Sequence, residues 1–289
     1  MKSAPQLFAE RMLLSTLSIP KILLLSKFGN KLPLSAKTKR ECVILGNGPS
    51  LTQSIEEHKT LLANSDLFSV NFFCTTEEYT QLKPRFLVAA APEFYLEKLN
   101  DFYRDFIPGF YKGLVDNTQW DLEIFMPVEA KKYSHWKKQI QGNNKIHVNY
   151  YNNTPVEGFE GLTHWAINNG LGMPRPHNVL IPTIIMALRM GYEKIHLIGA
   201  DHSWLKDLWV DDNNLVMLRQ KHFYDEASAK ANPMYKKGQD TRKLHEVLQK
   251  FVISFEAYFT LEKFAKKKGQ RIINLTPGSF IDAFERKQS

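Results

Sequence analysis

Short apolar runs alternate along this chain with longer stretches whose apolar positions recur at helical spacing. The runs have the length of buried strands and are bounded by turn residues. They cover residues 42–46, 67–70, 85–89, 122–125, 145–150, 194–198 and 271–274. Helical spacing is clearest in residues 51–63, 93–106, 178–190 and 242–268. This alternation predicts an α/β fold with a mostly parallel sheet and helices on both faces.

The chain divides by composition into three parts. Residues 1–40 form a basic, apolar leader, and residues 41–285 carry the alternating pattern of the main domain. Within that domain, residues 202–240 are polar, aromatic and irregular, and their length is typical of a lid or small subdomain. We therefore predict one main domain that includes a lid and is preceded by the leader.

Charge is concentrated in the leader. The protein has a net charge of +8, and residues 1–40 contribute +7 of it, with eight basic residues against Glu10 alone. A nucleic-acid-binding protein with a uniformly basic surface would not show this distribution, so no nucleic-acid partner is expected. Two alternatives remain for the leader: a helix packed on the main domain, or a basic anchor on an anionic membrane surface.

The location of the protein is predicted from its cysteines and its apolar runs. Cys42 and Cys74 fall in or beside predicted buried strands, as free thiols do in a reducing cytoplasm. No apolar run reaches the roughly 18 residues that span a bilayer. The leader lacks a small-residue cleavage site, which favours its retention. The expectation is a cytoplasmic protein, peripheral to the inner face of the membrane if the leader is an anchor.

The first predicted strand runs directly into a glycine turn that opens a helix, a pattern typical of nucleotide-binding sites. A third glycine is missing and the second strand ends in Asn71 instead of an acid, so a dinucleotide is not expected. The amide of Asn71 suits a base or sugar edge. A plain strand–turn–helix without a ligand is the alternative. The predicted nucleotide-binding residues of the turn are Gly46, Asn47, Gly48, Pro49 and Ser50.

A second polar cluster follows the strand at 194–198. Loops at the carboxyl ends of parallel strands hold the ligands of open α/β folds. Asp201 there could act as a base, hold a ribose or bind an acceptor hydroxyl; a structural cap is the alternative. Gly199 is assigned to the nucleotide site. The acceptor and lid residues following Asp201 are predicted to be His202, Ser203 and Trp204.

Two further positions carry candidate chemistry. Asn178 opens a predicted helix, where it either caps the first turn or forms a second wall of the nucleotide pocket. In the lid, His222 and Tyr224 supply groups for acid–base work and phosphate contact, although a single histidine is more often structural. No Asp-x-Asp follows a predicted strand, so no metal site is expected.

Together these motifs resemble those of the small bacterial sialyltransferases that act on lipooligosaccharide. The matching segments are residues 46–51, Asn71 with the aromatic residues after it, residues 190–195 and residues 199–201. The resemblance implies a single Rossmann-like domain with a lid. It also implies inverting transfer of an acidic sugar, sialic acid-like or Kdo-like, from a CMP-sugar donor to a hydroxyl of a glycan acceptor in lipooligosaccharide or capsule synthesis. No cofactor is required on this interpretation.

The resemblance also implies roles for individual residues. Asn47, Ser50 and Asn71 would hold the nucleotide. The histidine that serves these enzymes as general base has Lys237-Gly238-Gln239 at the matching place in this chain. We therefore expect His222 or Asp201 to be the base. The backbone amides of residues 46–50 and the hydroxyl of Tyr224 are expected to stabilise the leaving phosphate.

Two other interpretations stay open. The glycine turn and the Gly-Ala-Asp segment are also similar to the archaeal-type 6-hydroxymethylpterin diphosphokinase-like family. That resemblance implies Mg²⁺-dependent diphosphoryl transfer from ATP to a pterin-like alcohol, which would need clustered carboxylates at the strand ends. A nucleotide-binding module without catalytic activity is the third interpretation.

Overall fold

The computed structural model of the protein describes residues 3–99, 101–219, 223, 231–234 and 241–286, and the structural statements below concern these residues. The helices are α1 Ala4–Leu25, α2 Leu51–Glu57, α3 Lys59–Ala63, α4 Glu77–Leu82, α5 Asp101–Asn117, α6 His135–Ile140, α7 Glu160–Asn168, α8 Leu180–Arg189 and α9 Leu244–Lys267. The strands are β1 Glu41–Leu45, β2 Asp66–Val70, β3 Phe86–Val88, β4 Leu122–Pro127, β5 Ile146–Tyr151, β6 Lys194–Ile198, β7 Leu208–Val210, β8 Val216–Leu218, β9 Asn232–Pro233 and β10 Arg271–Asn274.

Seven strands form one parallel sheet in the order β10-β6-β1-β2-β3-β4-β5. The predicted fold class is confirmed, and these strands match the seven apolar runs to within about two residues at each end. From β1 the chain adds strands on one side as far as β5, and then returns to place β6 and β10 on the other. The strand order therefore reverses between β1 and β6, and open α/β sheets bind ligands at such a point.

The core lies on both faces of this sheet, and β1 shows how the sequence specifies it. Alternate side chains of a strand point to opposite faces. Cys42 and Ile44 belong to the cluster formed with α8 and α9, whereas Val43 and Leu45 belong to the cluster formed with α2 to α6. All four side chains are fully buried. An apolar run without polar alternation is thus what a doubly covered parallel strand requires.

One helix lies later in the chain than its periodicity predicted. A helix was predicted over 93–106, but Pro92–Phe94 is a short 3-10 turn and α5 begins at Asp101. Its buried stripe continues past Pro108 to Leu114. Proline lacks an N–H and costs one helical hydrogen bond. The burial of aromatic residues beyond it, such as Phe110, offsets that cost.

The lid region contains a small antiparallel sheet of β7, β8 and β9. Val216 of β8 packs against Val247 and Phe251 of α9, and this contact fixes the sheet above the carboxyl edge of the main sheet. The opposite side of α9 is exposed, with Leu248 and Val252 in solvent. None of the described helices combines the length and the apolar character needed to cross a membrane.

Candidate functional site

A cleft of about 290 Å³ opens at the carboxyl edge of the sheet, where the strand order reverses between β1 and β6. Its walls come from the ends of β1, β2 and β6, the segment before α8, the lid sheet and α9. Of the predicted site residues, those lining the cleft are Gly46, Asn47, Gly48, Pro49, Asn71, Asn178, Gly199, Asp201, His202, Ser203 and Trp204.

The glycines of the turn are required by a close approach of two chain segments. A Cβ on Gly46 would lie 2.4 Å from the carbonyl oxygen of Gly199, and one on Gly48 would lie 1.9 Å from Oδ2 of Asp201. The amide of Gly46 donates to the carbonyl of Ile198, and that of Gly48 donates to the carbonyl of Gly199, both at 2.8 Å. These two amides are therefore engaged within the protein, and the structure accounts for both glycines without a phosphate.

Ser50 lies behind the cleft and binds Asp201. Its hydroxyl donates to Oδ2 of Asp201 at 2.8 Å, and its backbone N–H also bonds this carboxylate. Burial raises the pKa of the Asp201 carboxyl, and the hydrogen bonds from Ser50 oppose that shift. Asp201 thus holds the first turn of α2 and faces the cleft at the same time. The structure shows the capping contact, and a role of Asp201 in proton transfer stays a prediction.

Two asparagines that line the cleft, Asn47 and Asn71, follow the neighbouring strands β1 and β2. Asn47 donates from Nδ2 to the carbonyl of Val70 at 3.1 Å, and its buried Oδ1 has no partner among the described residues. Asn71 has a φ of 46°, in the left-handed region that asparagine tolerates better than most residues. This conformation turns the chain at the end of β2. The buried Oδ1 of Asn47 therefore costs free energy unless a ligand or a water molecule donates a hydrogen bond to it.

Asn178 caps a helix and also lines the cleft, while its role in a nucleotide pocket stays a prediction. Its Oδ1 accepts from the amides of Leu180 and Ile181, at 3.0 and 3.3 Å, and so caps the first turn of α8. The same oxygen accepts from the hydroxyl of Tyr258 at 3.0 Å. Its Nδ2 is buried and has no partner in the part of the chain that is described. The cap thus fixes the orientation of the amide of a cleft-lining residue and leaves its buried donor without a partner.

A buried histidine completes this arrangement. Nε2 of His202 lies 2.5 Å from the hydroxyl of Tyr258. Because that hydroxyl donates its proton to Asn178, its oxygen accepts from the Nε2–H of His202. Burial lowers the pKa of His202 to about 3, so the ring is neutral near pH 7. Its ring lies against Trp204, with centroids 4.1 Å apart. His202 thus positions the amide of Asn178 through Tyr258.

Two basic side chains that no sequence motif indicated, Lys250 and His177, line the cleft and are called the charged wall below. Lys250 of α9 lines the cleft, and burial followed by the charge of Arg242 lowers its pKa. Nε of Arg242 is buried and lacks a hydrogen-bond partner among the described residues. His177 also lines the cleft, and burial, with Lys250 and other cations nearby, lowers its pKa to about 4. This wall is suited to an anionic group, because an anion would relieve the repulsion among the cations.

The charge of a third cation beside this wall is already balanced. Arg175 pairs with Glu157 through Nε at 3.2 Å and Nη2 at 3.1 Å. Neither Lys250 nor Arg242 forms an ion pair with another described side chain. Glu93 is close enough to favour the charged form of Lys250 but is a smaller influence than burial. Lys250 therefore lines the cleft as a cation without an ion pair among the described side chains. Arg219, whose guanidinium lies 5.8 Å from the ring centre of Trp209, is a second cation in the lining.

His222 and Tyr224 lie outside the described residues. Phe223, between them in the chain, is described: its amide donates to the carbonyl of Asn47 at 3.1 Å, and its ring lies 5.6 Å from that of Phe73. Among the described residues, no group of three or more His, Cys, Asp or Glu side chains is placed to hold a metal ion. The catalytic assignment of His222 and Tyr224 stays a prediction.

No protein-family model matches the chain, and no curated protein matches it. Among solved structures, the chain is similar to the MAf glycosyltransferase from Magnetospirillum magneticum AMB-1, with 12% sequence identity and a TM-score of 0.47. The match covers 97% of this chain and 38% of that one. The chain thus spans well under half of that protein's length. A likeness of this degree identifies neither a ligand nor a reaction.

Proposed function

We propose that the protein is a glycosyltransferase of surface-glycan synthesis that transfers an acidic sugar from a CMP-sugar to a glycan hydroxyl with inversion. The observation that carries the proposal is the chemistry of the side chains that line the cleft. Asn47 and Asn178, called the amide wall below, have an acceptor, Oδ1, and a donor, Nδ2, without partners among the described residues. Lys250 of the charged wall forms no ion pair with a described side chain. A nucleotide combines the same two kinds of group, with a neutral base at one end and charged phosphate at the other.

The amide wall supports a cytosine base in particular. The cytosine edge presents an amino donor beside a ring nitrogen and a carbonyl, both of which accept. Asn47 Oδ1 can accept from the amino group and Asn178 Nδ2 can donate to one of the acceptors. The resemblance to sialyltransferases, which places Asn47 and Asn71 at the nucleotide, supports the same assignment.

The charged wall would stabilise the leaving group. In the proposed reaction the acceptor oxygen bonds to the anomeric carbon as the bond from that carbon to the phosphate oxygen breaks. The base takes the hydroxyl proton, and CMP leaves as a phosphate monoester. Because this leaving group carries its own negative charge, it needs charge stabilisation more than protonation. Lys250, with the charge of Arg242 nearby, supplies that charge in place of the Gly46 and Gly48 amides, which bond within the protein.

Two groups remain candidates for the base. Asp201 faces the cleft with a raised pKa, which makes its carboxylate a better proton acceptor than an exposed aspartate. His222 is the candidate from the sequence resemblance. The variants Asp201→Asn and His222→Ala distinguish them when donor affinity and turnover are measured separately. The base is the residue whose loss abolishes turnover while donor affinity is kept.

Thermal unfolding with a panel of nucleotides tests the proposed donor class. A ligand that binds only the folded state raises the unfolding temperature, and at equal concentration the tighter ligand raises it more. We expect CMP and CDP to stabilise the protein without added metal, and UDP and GDP to have smaller effects. Release of CMP from CMP-sialic acid in the presence of a galactoside acceptor would then test the reaction. Stabilisation by ATP with Mg²⁺ alone would overturn the proposal in favour of diphosphoryl transfer.

A further inference from the structure

Helix α1 turns its apolar residues outward. Eleven of the twenty large apolar side chains that are exposed among the described residues lie between Leu7 and Leu34. Leu24 is 79% exposed and Leu13 is 59% exposed. A helix packed on a domain normally buries its apolar stripe and exposes its polar one. The outward apolar side of α1, from Leu7 to Leu25, is called the leader face below.

The inner side of α1 is held by polar contacts. The hydroxyl of Ser18 donates to the carbonyl of Glu157 and accepts from its amide, both at 3.0 Å. The hydroxyl of Ser15 accepts from the amide of Phe159 at 2.9 Å. Ile22 adds a small apolar contact with the segment around Val156. These contacts fix the orientation of the helix, because turning it over would take the serine acceptors away from the amides of Glu157 and Phe159.

A glycine makes this contact close. Gly158 has a φ of +112°, and a Cβ there would lie 2.2 Å from the hydroxyl oxygen of Ser15 and 2.7 Å from the carbonyl oxygen of Arg11. Beyond the end of the helix, Asn152 accepts from the amide of Lys27 and donates to its carbonyl, both at 2.8 Å. Contacts along α1 and just beyond its carboxyl end thus hold it with its apolar side in solvent. An exposed apolar surface of this size marks an interaction site.

Basic residues surround the carboxyl end of the leader face. Lys27 and Lys31 are exposed just beyond α1. Lys131 lies 3.4 Å from Oδ1 of Asn30, which brings the exposed pair Lys131 and Lys132 to the same place. An apolar face beside several lysines complements a surface with a hydrocarbon interior and anionic headgroups.

We propose that the leader face binds the surface of an anionic membrane, with α1 lying in the interface. The twenty-two residues of α1 extend for about 33 Å at 1.5 Å per residue, which provides a long contact parallel to the bilayer. A second copy of the chain would fit less well. In a symmetric dimer the same lysines would lie on both sides of the interface, whereas lipid phosphates neutralise them.

Vesicle flotation with the full-length protein tests the proposal. We expect binding to phosphatidylcholine vesicles that contain phosphatidylglycerol, weaker binding to phosphatidylcholine alone, and release at high salt. The double variant Leu13→Gln, Leu24→Gln should lower binding by about tenfold or more. The matched control is Leu248→Gln with Val252→Gln, which removes two exposed apolar side chains from α9 and should bind as the wild type does.

Two further variants keep the test informative if the double variant is unstable. Lys27→Glu with Lys31→Glu should abolish the preference for anionic vesicles. In Leu24→Trp, the emission of the introduced tryptophan should shift to the blue when anionic vesicles are added, relative to the emission of the wild type. Vesicle binding that survives the loss of Leu13 and Leu24 would overturn the proposal. So would the absence of vesicle binding, including the case in which light scattering shows a dimer that Leu13→Gln, Leu24→Gln dissociates.

Discussion

The hydroxyl of Tyr258 donates a hydrogen bond to Oδ1 of Asn178 over 3.0 Å, although the two residues are eighty positions apart. Because this oxygen also caps α8, the side-chain amide cannot rotate without losing three hydrogen bonds. The remaining donor, Nδ2, is therefore held in one orientation at the cleft. A pre-organised donor of this kind loses little entropy when a ligand binds.

The variant Asn178→Asp should weaken nucleotide binding while keeping the fold. An aspartate retains the oxygen that caps α8 and accepts from Tyr258, but it has no donor at the Nδ2 position. We expect the Kd for cytidine and for CMP to rise by about tenfold, since one hydrogen bond contributes about 1 to 1.5 kcal/mol. Calorimetric titration measures both constants. Asn64→Asp, at an exposed site away from the cleft, is the control.

The use of cytidine separates the lost hydrogen bond from the new charge. A carboxylate that acted only by repelling phosphate would weaken CMP and leave cytidine unchanged. That outcome would show that Asn178 does not contact the base.

Lys250→Met should weaken the binding of CMP and leave the binding of cytidine unchanged. The substitution keeps the apolar stem and removes the charge that faces the cleft, so CMP should bind about tenfold more weakly and cytidine with the same Kd. The salt dependence of CMP binding should also decrease. Lys267→Met removes a charge from the exposed end of the same helix and should change the Kd of neither ligand. An equal loss for cytidine and CMP would show that Lys250 does not contact phosphate.

Gly48→Ala should destabilise the fold at the crossing of the β1 and β6 loops. Its Cβ would lie 1.9 Å from Oδ2 of Asp201 and 2.6 Å from the carbonyl oxygen of Gly199. We expect a loss of about 2 to 3 kcal/mol in the free energy of unfolding, measured with urea. The control is Gly109→Ala, in helix α5, where a Cβ would meet nothing within 4 Å. Equal stability of the two variants would contradict the close approach.

The buried His202 should make the protein sensitive to acid. Its folded-state pKa of about 3 lies below its ordinary value of 6.5, so the folded state resists protonation. The contribution of His202 to the free energy of unfolding is fully present above pH 6.5. It is lost as the pH falls toward 3, because the unfolded state gains the proton first. At pH 5 the loss relative to pH 7 is about 2 kcal/mol for this group.

Urea unfolding at a series of pH values measures that loss. His202→Gln keeps a side-chain donor for Tyr258 and removes the titration, so its stability should fall less steeply below pH 6.5. His245→Gln, on an exposed part of α9, should keep the wild-type pH dependence. A His202→Gln profile parallel to the wild type would assign the acid sensitivity to other groups.

The leader shows how far a local pattern can be interpreted. Its apolar residues and its lysines were evident in the sequence, and either packing on the main domain or membrane contact was consistent with them. The structure shows that the helix packs on the main domain through serines and Gly158, which leaves the apolar side exposed. Which side of a helix faces inward depends on the partner surface, and no local periodicity encodes that surface.

The seven strands of the sheet and the polar residues at their ends were determined by the sequence alone. Buried parallel strands require continuous apolar runs, and such runs end where the chain leaves the sheet. Only the tertiary structure brought Lys250 and His177 to the same cleft, with Arg242 near them. The reason is that α9 follows β1 by about two hundred residues, and Lys250 is indistinguishable by pattern from a solvated lysine. The tertiary structure also showed that the turn at Gly46 and Gly48 crosses the loop that follows β6. The sequence could not distinguish this crossing from a phosphate site, because close contact between two backbones requires glycine as strictly as a bound phosphate does.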